Sequence, residues 1–155
     1  MKVLLLVTAI ALLAGCAAQV RDETISPMEL NNEAERYNDR EVEVEGYLLL
    51  GTNSRALYQS RETFLRVERE ASDPKADFDP SENDKYCLTL QDVDELMEHR
   101  DVLNQMTVKI RGRFRNENPD ELGVDLQACP LPTRLYVDQS EVERLIRQHP
   151  KRLPE

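Results

Sequence analysis

Val42-Glu43-Val44-Glu45-Gly46-Tyr47-Leu48 and Val108-Lys109-Ile110-Arg111-Gly112-Arg113-Phe114 share one spelling, V-x-[VI]-x-G-x-[LF], and this repeat decides the fold. Apolar residues at every second position put one row of side chains on each face of an extended strand. In the first copy Val42, Val44, Leu48 and Leu50 face inward, with Glu41, Glu43 and Glu45 outward. In the second, Met106, Val108, Ile110 and Phe114 face inward and basic residues outward. Gly46 interrupts the first inward row, and Gly112 holds the same place in the second spelling. A glycine inside an alternating strand removes a side chain where the sheet bends hard or bulges, and two such positions suit a small closed barrel.

Upstream of the first copy, Ser26-Pro27-Met28-Glu29 opens a helix with a hydroxyl N-cap, proline at the first helical position and glutamate at N3. Leu30, Ala34 and Tyr37 continue it to a turn near Asn38-Asp39. After the strand Glu41 to Gly51, the turn Gly51-Thr52-Asn53-Ser54 returns the chain as a second strand, Ala56 to Ser60, which makes a hairpin. Residues 61–67 have no clear period and read as a short helix or irregular structure. Residues 68–85 carry Asp73-Pro74, Asp79-Pro80 and only one large apolar side chain, Phe78, and read as a solvated loop. Tyr86 to Leu90 is a third strand. A helix beginning at Asp92, with Glu95 at N3, presents Val93, Leu96, Met97 and Leu103. Met106 to Arg115 is the fourth strand, and Val124 to Cys129 the fifth, after a turn over residues 116–123. Pro130 and Pro132 interrupt that strand, and Leu135 to Val137 resumes pairing at an edge. Ser140-Glu141-Val142-Glu143 is a second S-x-x-E box, opening a last helix with Val142, Leu145 and Ile146 inward.

The expected fold class is therefore mainly β with flanking helices: a five-stranded OB-fold-like barrel with an N-terminal helix and a short C-terminal helix. Three strands, one helix and two more strands is the order of the OB-fold. A capped helix leading into V-x-V-x-G-Y-L, a C-L-x-L strand at Cys87 to Leu90, and a second V-x-[VI]-x-G-x-F at Val108 to Phe114 follow one another in the chain. From about Ser26 to Val137 the sequence thereby resembles bacterial envelope lipoproteins with an OB-fold-like domain. The resemblance implies a barrel and no particular ligand. It also implies that the third and fifth strands are neighbours, which brings Cys87 and Cys129 within bridging distance.

At the N-terminus an apolar run, Val3 to Leu13, follows the single positive Lys2 and closes on Leu13-Ala14-Gly15-Cys16. The run is too short to cross a bilayer as a helix of ~20 residues, and its small-residue exit suits a signal peptidase. These four residues resemble the lipobox of bacterial lipoproteins. That resemblance implies loss of residues 1–15 as a signal peptide and a diacylglycerol-bearing, acylated Cys16; an ordinary secretory signal with a structural Cys16 is the alternative. Residues 16–25 then form a lipidated tether whose stretch Ala17 to Ile25 spans at most about 30 Å. Residues 26–149 form one OB-like domain including the terminal helices, and residues 150–155 a tail. Ala17, directly after Cys16, implies by the same resemblance the periplasmic face of the outer membrane in a Gram-negative host.

With Cys16 given to lipid, Cys87 and Cys129 remain as a pair in an oxidising compartment, and a disulfide is expected. In the chain-entropy description such a bridge stabilises by about 3 to 4 kcal/mol. The alternative is a metal site with His99 or His149, although neither cysteine sits in a C-x-x-C or H-x-x-x-H cluster. The net charge of −10 becomes one unit more negative when Lys2 leaves with the signal. Such a surface repels phosphate backbones and anionic headgroups, so the expectation is no nucleic acid as partner and a membrane reached through the lipid alone. The chain also has no Trp and few aromatics for base stacking.

Lys109, Arg111, Arg113 and Arg115 form the best basic cluster and are a candidate partner-binding patch; the competing reading pairs them across the sheet with Glu41, Glu43 and Glu45. Asp77, Asp79, Glu82 and Asp84 are oxygen ligands at short spacing, yet the loop lacks EF-hand glycine and terminal glutamate, so no metal site is expected. Tyr47 and Tyr58 either line a groove or stack as cross-strand aromatics. His99 in a surface helix and His149 near the tail are not placed for catalysis, and no G-x-S-x-G, H-E-x-x-H or phosphate loop occurs. The expectation is a lipid-anchored envelope protein with a non-catalytic OB-like binding or assembly module, not an enzyme, needing no cofactor and contacting another envelope protein or component. The alternative is a structural or stress-related lipoprotein with no specific ligand.

Overall fold

The computed structural model describes residues 24–52, 54–117, 129 and 131–150. Five strands, β1 (Arg40–Gly51), β2 (Ser54–Tyr58), β3 (Cys87–Gln91), β4 (Thr107–Asn116) and β5 (Thr133–Val137), close into a barrel in the order β1-β2-β3-β5-β4. Neighbours run antiparallel except β3 and β5, which are parallel. Short helices occupy the connections: α1 (Pro27–Asn32), α2 (Ala34–Tyr37), α3 (Arg61–Ser72), α4 (Pro80–Asp84), α5 (Asp94–Glu98), α6 (Arg100–Leu103) and α7 (Gln139–Gln148). The protein is thus a mixed α/β chain built on a closed five-stranded barrel.

The two copies of the repeat pair with each other. Val42 lies opposite Gly112, Val44 opposite Ile110 and Gly46 opposite Val108, so each glycine faces the first valine of the other copy. A Cβ on Gly112 would sit 2.2 Å from the Tyr136 carbonyl oxygen; one on Gly46 would sit 2.6 Å from both Leu57 Cγ and the Tyr58 carbonyl oxygen. The glycines therefore permit close approach, of β5 against β4 and of β2 against β1. The inward rows form one core, in which Leu48, Leu57, Leu88, Ile110, Phe114 and Leu135 are wholly buried. Leu30 of α1, Leu96 of α5, Leu103 of α6 and Leu145 of α7 join that core from outside the sheet.

Two strand edges are completed without strands. Before Tyr47, where β2 does not accompany β1, Ile25 bridges to Val44: its N–H donates to the Glu43 carbonyl at 3.0 Å and its carbonyl accepts from Glu45 N–H at 3.1 Å. Below Gly112, where β5 leaves β4, the Arg111 N–H donates to Glu141 Oε1 at 3.0 Å and the Lys109 carbonyl accepts from Arg144 Nη2 at 2.6 Å. An unpaired backbone group near the core costs free energy comparable to a lost hydrogen bond, so these contacts close the edges.

The helices depart from the sequence expectations for identifiable reasons. The first helix begins as expected, with Ser26 Oγ accepting from Glu29 N–H at 3.2 Å, but it breaks at Glu33. The Glu29 carboxylate accepts from the Tyr37 hydroxyl at 2.9 Å. Residues 61–67 are helical and continue to Ser72, so the solvated loop is shorter than expected and is broken again by α4. The helix placed at Asp92 starts at Asp94, because Asp92 takes a left-handed φ of 60° as β3 ends. That helix is also split: His99 lies between α5 and α6 instead of mid-helix. The final helix starts before Ser140, with Asp138 at its N-cap and Glu141 turned inward, so the second S-x-x-E box does not cap it.

The correction to the sheet concerns the segment Leu135 to Val137. The stretch Val124 to Cys129 lies outside the described residues except for Cys129. The segment expected at an edge, here Thr133–Val137, stands inside the sheet between β3 and β4. Its alternation explains the placement, since Leu135 and Val137 enter the core while Pro132 stands just before the first ladder position.

Candidate functional site

The outer face of the sheet is uneven. Where Glu41, Glu43 and Glu45 point outward, the register sets them against Arg113, Arg111 and Lys109. The ion pairs follow: Arg111 Nε to Glu43 at 2.6 Å, Arg113 Nε to Glu41 at 3.5 Å and Lys109 Nζ to Glu45 at 3.6 Å. Arg115 pairs with Asp39 at 3.3 Å. Three of the four basic residues singled out as a partner-binding patch are thus paired across the sheet, and Arg115 is paired with the residue just before β1. Solvated pairs of this kind each add little and weaken with salt.

From Tyr47 onward the same face turns apolar. Tyr47 lies opposite Tyr58 and Leu49 opposite Ala56, and all four are buried outside the barrel with Cys87 and Cys129 in a second, smaller core. Phe64 of α3 closes over them, its ring 5.2 Å from Tyr58 in an edge contact and 5.8 Å from Tyr47. The tyrosines are therefore cross-strand partners. Cys87 and Cys129 are bonded to each other with Cα atoms 5.7 Å apart, and are 2% and 5% exposed. This excludes the metal site that would have used them with His99 or His149. Thr89 Oγ1 donates to the Cys129 carbonyl at 3.2 Å, a second tie between β3 and that residue.

Above this small core lies a groove of about 410 Å³ between α3, α4 and the sheet. Its apolar walls come from Tyr58, Phe64, Val67, Ala71 and Phe78, with Cys87 at its base. Ser60 Oγ caps α3 by accepting from Thr63 N–H at 3.1 Å, and the i, i+3, i+7 spacing turns Phe64, Val67 and Ala71 to one side. Arg66 fastens α3 to α4 by donating to Asn83 Oδ1 at 3.0 Å, and its guanidinium lies over the Tyr86 ring. Asn83 Nδ2 donates in turn to the Asp79 carbonyl at 3.1 Å.

Two carboxylates, Glu68 and Asp84, also line this groove. Burial pushes the Asp84 carboxyl up from its ordinary range, and the neighbouring Asp79 pushes it further. Burial likewise raises the Tyr58 hydroxyl, and Asp84 and then Glu68 add to the effect. Asp77, Asp79 and Glu82 line a separate cavity with Arg66, Glu70 and Lys85, and Asp84 lines the groove, while among the described residues no group of three or more His, Cys, Asp or Glu is placed to hold a metal ion. His99 Nδ1 lies 3.2 Å from the Glu95 carbonyl, and His149 is the C-cap residue just beyond α7. Cys16 lies outside the described residues.

The sequence conceals this groove, because residues 61–67 show no clear period. The signal was present in the Ser60 cap and in Phe64, Val67 and Ala71, but interleaved glutamates and arginines masked it. Comparison of the chain with protein-family models, curated proteins and solved structures gives no match.

Proposed function

We propose that the chain is a lipid-anchored protein of the bacterial cell envelope, with an OB-like barrel serving as a non-catalytic binding or assembly module for another envelope protein or component. The Cys87–Cys129 bridge carries this reading, because structural disulfides belong to oxidising compartments. The apolar leader ending in Leu13-Ala14-Gly15-Cys16 supplies the matching route out of the cytoplasm and the acylated Cys16. The OB-like description rests on the strand order β1-β2-β3-β5-β4, the parallel β3–β5 pair, and the helices α5 and α6 between β3 and β4.

OB barrels that hold oligonucleotides use the face of strands two and three. Here the Tyr58 end of that face is buried beneath Phe64 and the disulfide, and the chain is acidic, which argues against nucleic acid as partner. Recognition instead falls to the groove beside α3, whose aromatic, aliphatic and carboxylate lining suits binding.

The test has two readouts in cells expressing the full chain. An alkyne analogue of palmitate labels the wild-type protein, which sediments with membranes; Cys16→Ser abolishes labelling and membrane retention. An unlabelled, soluble wild-type protein overturns the anchor. Crosslinking in intact envelopes returns one partner in stoichiometric amount. Recovery of abundant bystanders alone overturns the module and favours a structural lipoprotein without a specific ligand.

A further inference from the structure

We propose that the groove between α3 and α4 is a binding site for an amphiphilic cation, an ammonium group carried on an apolar body. The proposal deepens the binding-module reading and rests on it. The groove's volume of about 410 Å³ lies within the range of small-molecule sites, and its walls are mostly apolar. Phe64, Val67, Phe78 and Ala71 are only partly buried or exposed, so the chain leaves apolar surface open to an occupant there.

Charge selects the class of occupant. Two carboxylate side chains, Glu68 and Asp84, line the groove, and among the described residues no cationic side chain does. Among the described residues neither carboxylate has an ion-pair partner. Arg66 of α3 is committed to Asn83, Glu70 and the Tyr86 ring. Asn83 accepts from Arg66 through its amide oxygen and gives one amide N–H to the Asp79 carbonyl, so it brings no charge to the groove. The carboxyl of Asp84, raised by burial and by Asp79, is the group an incoming cation would relieve. Tyr58, Phe64 and Phe78 add aromatic rings, which attract ammonium ions electrostatically. An anionic ligand would meet two carboxylates and, among the described residues, no cationic side chain; a neutral one would leave the carboxylates uncompensated.

Isothermal titration of the full chain in zwitterionic nanodiscs, with empty nanodiscs as baseline, tests this. The probes are hexyltrimethylammonium, hexanoate and 1-hexanol. The cation binds saturably, and the other two bind at least about tenfold more weakly, the scale of two carboxylates acting near an ammonium at a partly solvated site. Glu68→Gln with Asp84→Asn reduces cation affinity about tenfold and removes its advantage over hexanol. Ala71→Trp, at an exposed position that spares the barrel, blocks all three probes. Equal binding of cation and carboxylate, an unaltered affinity in the double variant, or no heat above empty nanodiscs overturns the cation site. Loss of that site while the stoichiometric envelope crosslink persists overturns it alone; loss of both removes the module reading as well.

Discussion

Gly112 holds the tightest position in the barrel. Its missing side chain leaves room for the Tyr136 carbonyl oxygen, and a Cβ at 2.2 Å from that oxygen meets backbone, which cannot rotate away. Gly46 is nearly as tight, but one of its two neighbours at 2.6 Å is a side-chain atom, Leu57 Cγ, the other being the Tyr58 carbonyl oxygen. Gly51 is different: its nearest neighbour is Ser54 Cβ at 3.5 Å, ordinary van der Waals contact. Gly112→Ala is therefore expected to destabilise the fold by about 3 kcal/mol, the upper part of the usual range for overpacking, and Gly51→Ala by less than about 0.5 kcal/mol. Urea unfolding midpoints check the ranking, and a Gly112→Ala protein as stable as Gly51→Ala would contradict it. The repeat made both barrel glycines legible in the sequence. What they face was not, because Gly112 meets Tyr136 of β5, a segment expected at a sheet edge.

At the scale of elements, α7 substitutes for a strand along β4. Glu141 accepts from Arg144 at Nε and Nη2 as well as from the Arg111 N–H, so one helix side chain ties the helix to the strand edge. Burial is the largest single influence on this carboxyl and pushes it up, but the hydrogen bonds from Arg144 and Arg111 outweigh it and hold the group below its ordinary range. A carboxylate depressed in the folded state contributes stability that is fully present above its ordinary titration range and is lost as pH falls through the lower, folded value. Glu141→Gln should thus cost about 2 kcal/mol at neutral pH, the scale of charge-assisted hydrogen bonds. The difference from wild type should narrow only when thermal melts are run below about pH 4.3, the ordinary glutamate value; a gap independent of pH down to acid unfolding would show that the charge is not what matters. The sequence displayed the helix and its Val142 and Leu145 face, but Glu141 read as part of a cap, since a buried acid is recognisable only once its partner Arg111 is placed. Similarly, β1 and β4 were legible because each is long and alternates over many residues. β5, five residues behind a proline, has too few alternations to outrank its neighbours, and tertiary pairing with β3 and β4 decides it.

For the whole molecule, the bridge joins β3 to Cys129 across 42 residues of sequence that include α5, α6 and β4. It fastens the parallel pair β3 and β5 from outside: β3 carries Cys87, and Cys129 lies four positions before β5. Parallel pairing needs a long crossover, whose closure entropy opposes assembly, and a covalent tie across that crossover removes much of this cost from the unfolded chain. The two sulfurs act as one unit, so removing either ends the constraint and removing the second adds nothing to it. Cys87→Ser and Cys129→Ser should each destabilise the domain by about 3 to 4 kcal/mol, and the double variant by no more than the larger single loss. Melting temperatures of the three variants, each verified for free thiol content, decide the matter: a double variant that loses the sum of the singles would mean that each cysteine stabilises through its own packing beside Tyr58 and Leu49, and that the barrel holds its crossover without the bridge.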